Sequence, residues 1–310
     1  AMGFGALDAN TTADNNTAFG YAALGANTTA TENVAVGATA GDALTTGSEN
    51  VAIGSDALST ATTNGNNVAI GRMALKVSTA ASNTAVGHQS MISNTTGTQN
   101  VAVGKNSLDS NTTGENNTAI GYNSLESNTT ASNNVAVGEN SMRENTTGTA
   151  NVAVGQAALD ANTTASNNTG IGYAALSANT TGGSLTAVGK DALTANTDGE
   201  NNIGIGRDAG QSITTGSNTI AIGVEALEAQ TKANANLAIG KGAGAANTTG
   251  TENVFIGHEA GNDVTTGAGH TLIGFKAGDK ITTASQNTAV GDEALGANTG
   301  GGLNTAVGYN

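Results

Sequence analysis

The sequence contains no cysteine, no proline and no tryptophan, and aromatic residues make up only 3% of its 310 positions. Without cysteine there is no disulfide, no thiol nucleophile and no thiolate metal site. So few large side chains exclude a thick globular core and leave one that is a single coil deep. Bases are scarce as well. Ten Lys and Arg stand against 24 Asp and Glu, for a formal net charge of −14, the reverse of the basic footprint that nucleic acid requires. An anionic membrane surface is disfavoured for the same reason. No apolar run approaches the roughly 20 residues that span a bilayer, so direct membrane insertion is not expected.

What the sequence has in abundance is glycine, 45 residues of it, and nineteen of these fall in register at 3, 20, 37, 54, 71, 87 and then every seventeenth residue to 308. Seventeen of the eighteen intervals are 17 residues long and one, Gly71 to Gly87, is 16. A fixed period of this size over the whole chain predicts an all-β solenoid of about 18 coils, a single repeat domain over 1–310. At about 4.8 Å per coil it would be a rod of roughly 85 Å. The register begins at Gly3 and runs out at Gly308-Tyr309-Asn310, inside a repeat at both ends, which reads as a segment of a longer array.

Each unit reads N-[V/T]-A-[V/I]-G-x-x-A-L-x-x-N-T-T-G-x-x, as from Asn100 to Glu115 and Asn116. The β-branched residues one and three before the glycine are expected to line the inner face of a short strand. Between them stands alanine in fifteen copies, glycine at Gly170 and Gly204, and Phe255 and Leu272. None of these nineteen residues is polar. A strand apolar on both faces is buried on both, and a single coil buries only one, so this column is predicted to meet another chain. Its members include Ala35, Ala52, Ala69, Ala85, Ala102, Ala119, Ala136, Ala153, Ala187, Ala221, Ala238, Phe255, Leu272 and Ala289. Aspartate at Ala102, Ala119 and Ala136 is accordingly expected to split the oligomer.

Past the glycine, the third residue is always Ala or Ser, and the fourth is Leu or Met in thirteen units but glycine at 41, 210, 244, 261 and 278. Where that glycine appears, the usual asparagine three residues later becomes Leu44, Ile213, Val264 or Ile281, with Asn247 the exception. This is a volume-conserving exchange within the core. The recurring threonine pair is expected to form a second strand with one inward and one outward hydroxyl column. Asparagines at two recurring positions would stack at one per coil and bond amide to amide.

The residue directly after the glycine breaks the composition. Tyr21, Arg72, Lys105, Tyr122, Tyr173, Lys190, Arg207 and Lys241 share this column with Phe4, His88, His258 and Phe275. The ridge suits a receptor or glycan, or the edge of a seam where its bases pair with acids such as Asp56, Asp109, Glu126, Asp160 or Asp191 of a neighbour. Long side chains lying along the next coil explain it equally without any partner. Chemistry is missing elsewhere. The three histidines lie in different coils, with no HExxH and no calcium-binding nonapeptide, so neither an enzyme nor a cofactor is expected. The Asn-Thr-Thr triplets have the form of glycosylation acceptors.

The Asn-Val-Ala-Val-Gly and Asn-Thr-Ala-Ile-Gly strands at 100–104 and 117–121 resemble the head repeats of YadA-like trimeric autotransporter adhesins. They look equally like the repeat regions of phage tail-fibre proteins that end in a chaperone domain. The resemblance implies a left-handed parallel β-roll, three rolls side by side as a homotrimer, with the alanine column toward the trimer axis. It also implies an adhesive or structural fibre segment, on a bacterial cell surface or a virion, that meets a host receptor, matrix protein or glycan. The alternative is a monomeric ice-binding solenoid using its outward threonines, although adjacent threonines put only one column on a flat face.

Overall fold

The computed structural model describes residues 1–309. The chain forms two compact units, Ala1–Asn151 and Val152–Asn310, and each is a parallel β-solenoid. Strands β1 (Thr17–Phe19) to β8 (Val135–Val137) belong to the first, β9 (Val152–Val154) to β18 (Thr305–Val307) to the second. Each strand is three residues long and pairs in parallel with its successor in the same unit, as Ala102 with Ala119 and Ala221 with Ala238. The short repeat keeps this register, because β4 (Val68–Ile70) still aligns Val68 with Thr84 of β5 (Thr84–Val86). The missing residue is absorbed in the turn, where Ser78 Oγ accepts the Ala80 N–H at 3.1 Å. Full-length repeats make that cap with asparagine, as Asn27 does for Ala30.

The strand-ending glycine is fixed by close approach. At Gly104 φ is 139°, and a Cβ there would lie 2.3 Å from the Gly121 carbonyl oxygen, so no other residue fits. Three further positions per coil turn into the left-handed region, and in most coils none of them is glycine, as at Asn106 (φ 56°), Leu108 (φ 51°) and Asn116 (φ 57°). Each costs about 1–2 kcal/mol relative to ordinary backbone. Each also points its N–H along the stack to a neighbouring coil: Asn106 to His88 O (3.1 Å), Leu108 to Ser124 O (3.0 Å) and Asn116 to Thr98 O (3.1 Å). The strained angles therefore supply part of the bonding between coils outside the strands.

The expected second strand does not form. Thr112 N–H, Thr112 Oγ and Thr113 N–H converge on the single Thr129 carbonyl at 2.8, 3.0 and 3.2 Å, and three donors on one acceptor require a bend rather than a pleat. In most pairs the first threonine thus spends its hydroxyl on the next coil, as Thr112 does, and the second, such as Thr113, is exposed.

Asparagine four before the glycine replaces a strand of backbone bonding. Asn117 donates its own N–H to Asn100 Oδ1 (2.9 Å), accepts the Asn134 N–H at Oδ1 (3.0 Å) and donates Nδ2–H to Ala131 O (2.8 Å). All of these groups are buried, so losing the amide leaves the Asn134 N–H without an acceptor. Asn117→Ala is expected to destabilise its coils by about 1–3 kcal/mol. At Leu185, which stands in the same column and offers no acceptor to Asn202, Leu185→Asn is expected to gain a similar amount. Amide hydrogen exchange of the flanking coils measures both.

Candidate interaction surface

The faces of the strand are the reverse of the sequence expectation. Ala35, Ala52, Ala69, Ala85, Ala102, Ala119, Ala136, Ala153, Ala187, Ala221, Ala238, Phe255, Leu272 and Ala289 lie inside the coil, none more than 1% exposed. A residue with no surface has none to give to a partner, so this column is not an interface. The reason is the thinness of the coil. The leucine four after the glycine reaches across to the strand, and at Gly170 a Cβ would already meet Leu159 Cγ at 3.3 Å. Only alanine or glycine fits opposite such a leucine.

The β-branched residues consequently point outward. Every described strand within the stack shows a half-buried or exposed residue on either side of a buried one, as Thr118-Ala119-Ile120 does. Ile53, Ile120, Val154, Ile171, Ile205 and Ile239 are all about as exposed as Ile120, at 40%. In β12 (Ile203–Ile205), β13 (Ile220–Ile222), β14 (Leu237–Ile239) and β15 (Val254–Ile256), both outward positions are Ile, Leu or Val. Two aliphatic side chains per coil, on a regular parallel sheet, make a contiguous apolar face of a kind that soluble monomers rarely expose.

Beside this face runs the ridge. Tyr21, Arg72, Lys105, Tyr122, Tyr173, Lys190, Arg207 and Lys241 are all exposed. They lean on one another along the stack. Phe4 stacks on Tyr21 with ring centres 5.9 Å apart and His258 on Phe275 at 5.5 Å, while Lys105 lies over Tyr122 and Lys190 over Tyr173 at 5.6 and 5.9 Å. The bases also find acids in their own chain. Lys190 pairs with Asp191 at 3.0 Å, Arg207 with Asp208 and Glu225, and Lys276 with Glu259 at 3.5 Å. Asp191 is therefore satisfied within the molecule rather than across a seam, and Asp56 accepts the Thr39 hydroxyl at 2.7 Å. Pairs this exposed are screened by water and add little to stability. Asp109 behaves differently: burial, and then the charge of Glu126, push its carboxyl above the usual range.

Among the described residues no cluster of three or more histidine or carboxylate side chains is placed to hold a metal, and no helix is long and apolar enough to cross a membrane. A groove of about 260 Å³ is lined by Lys276, Asp279, Lys280 and Glu293, but Lys280 is held by Asp263 at 3.1 Å and Lys276 by Glu259. The asparagines of the triplets are buried except Asn10, which is exposed. Asn128 donates to Asn111 Oδ1 at 2.8 Å and to Ala131 O at 3.1 Å, so past the first coil the triplets offer no accessible amide for glycosyl transfer.

Fold and surface define a parallel β-solenoid repeat protein with a 17-residue period and an apolar outer face on each unit. No protein-family model matches the chain, and no curated protein does so either.

Proposed function

We propose that this chain is a non-catalytic fibre segment, a structural and adhesive solenoid that works as a bundle of identical copies outside the cell, on a bacterial surface or a virion. The outward Val/Ile face carries the reading. Hydrophobic surface repeated on every coil stabilises association in proportion to its length, at about 25 cal/mol per Å² removed from water, and a second copy offers the same face at the same spacing. The strand motif's resemblance to adhesin heads and tail-fibre repeats supports three copies about a common axis. With the alanines inside each coil, the valines and isoleucines take the axial position.

In this arrangement the ridge borders the apolar face and remains outside it, available to a host receptor, matrix protein or glycan. Tyr122 and Tyr173 are both exposed, each with a lysine over its ring. A glycan and matrix-protein array is expected to show binding that falls at least tenfold in Tyr122→Ala/Tyr173→Ala, without change in oligomeric mass. Binding that is unaffected by the double substitution would remove the ridge as the contact. The threonine face has nothing comparable to recommend it for ice: the first hydroxyl of most pairs is bonded to the next coil, as at Thr112, and the second column is interrupted at the short repeat and at Asp198 and Lys232.

A further inference from the structure

One coil departs from the asparagine column with a titratable group. His270 stands where other repeats have the bonding asparagine, and it is only 1% exposed. Its ring reproduces the amide atom for atom. Nδ1 accepts the Asn287 N–H at 3.2 Å, as Oδ1 does elsewhere, and Nε2 lies 2.7 Å from the Ala284 carbonyl, as Nδ2 does elsewhere. The His270 N–H in turn donates to Asn253 Oδ1 at 2.9 Å. A backbone N–H can only donate and a carbonyl can only accept, so the ring must be neutral with its proton on Nε2.

We propose that His270 makes the solenoid acid-labile at one coil: a proton on Nδ1 would face the Asn287 N–H donor to donor, and the stack parts between β16 (Thr271–Ile273) and β17 (Thr288–Val290). The groups packed around the ring are Asn253 from the coil before, Gly267 of its own coil, and Ala284 and Asn287 from the coil after. None of them is charged. Asp263 and Asp279, the carboxylates nearest in sequence, pair with Lys280, Glu252 lies on an exposed corner, and His258 and Lys276 are engaged with Glu259 on the ridge side. No neighbouring anion compensates a cationic ring.

Burial lowers the affinity of this imidazole for protons, more than the Ala284 carbonyl raises it. The sign follows. The unfolded coil takes up a proton near pH 6.5 and the folded coil only at lower pH, so the contribution to stability is complete above about pH 6.5 and is lost as pH falls through the native value. Between those two values local opening should rise about tenfold per pH unit, because each opening binds one proton.

The test is amide hydrogen exchange across residues 254–290 from pH 7.5 to 4.5, corrected for intrinsic rates, on the whole chain and on His270→Asn. That variant restores the common residue of the column and therefore folds. Opening of the wild-type coils is expected to climb below pH 6.5 at up to tenfold per unit relative to the variant, while coils around Asn117 show no difference. Identical profiles for wild type and variant would overturn the proposal, as would nitrogen chemical shifts placing the neutral ring's proton on Nδ1.

Discussion

Aspartate introduced together at Val103, Ile120 and Val137 is expected to reduce the assembly to single chains that keep their fold. These side chains point outward from β6 (Val101–Val103), β7 (Thr118–Ile120) and β8. In an isolated chain the carboxylates would reach water, and the exchange forfeits only strand propensity, a scale spanning about 1 kcal/mol. In the bundle the same groups would be buried without partners, at several kcal/mol for each ion. The matched substitution one residue earlier behaves oppositely. Ala102, Ala119 and Ala136 are completely buried inside the coil, so aspartates there should abolish folding rather than separate folded chains. Light scattering during size exclusion, paired with circular dichroism, distinguishes the cases. A folded monomer from the alanine variant, or an unchanged assembly from the valine and isoleucine variant, would reverse the assignment of the two faces.

A second large effect is expected at Phe255, the one aromatic side chain in the core. Its ring lies between two glycines: a Cβ on Gly244 would come within 2.5 Å of Phe255 Cδ2, and one on Gly261 within 2.5 Å of Cδ1. Phe255→Ala empties that space and should cost about 3–5 kcal/mol, read as faster exchange across residues 237–274. Gly244→Leu alone overpacks the site. Combined with Phe255→Ala it recreates the ordinary pairing, a leucine in left-handed conformation opposite an alanine, as Leu108 stands before Ala119. The double variant is expected to recover most of the loss. If Gly244→Leu worsens Phe255→Ala, the two positions do not share one volume.

That shared volume shows how much of the fold was legible in the sequence. The period, the parallel stacking and the glycine that ends each strand all follow from spacing and from the uniqueness of glycine. The inside and outside of the strand are reversed from the expectation because valine and isoleucine outrank alanine in hydrophobicity, whereas the thin coil admits only the smaller residue. The correcting signal lay within the repeats. Phe255 and Leu272, the large members of the alanine column, each follow by eleven residues a glycine at the usual leucine position, Gly244 and Gly261. Filler elsewhere is graded to match. Leu44, Ile213 and Ile281 accompany an alanine, Val264 accompanies Leu272, and Asn247 accompanies Phe255. Such compensation occurs only between residues that meet in the core.

The left-handed leucines were not legible at all, since their angles are imposed by bonding to adjacent coils and run against local preference. The ridge was found by composition alone, because exposed bases and aromatics stand out in so acidic a chain. Its internal ion pairs needed the geometry of adjacent columns. His270 was visible only as a lone histidine, and its exchange for asparagine acquired meaning once both ring nitrogens were seen to occupy the amide's two bonding positions.

The solution mass of the unmodified chain bears most directly on the assembly through the outward Val/Ile face. Light scattering is expected to give a value near three times the 30.0 kDa of one chain, persisting on dilution to low micromolar concentration. A folded protein with the mass of a single chain under the same conditions would contradict it.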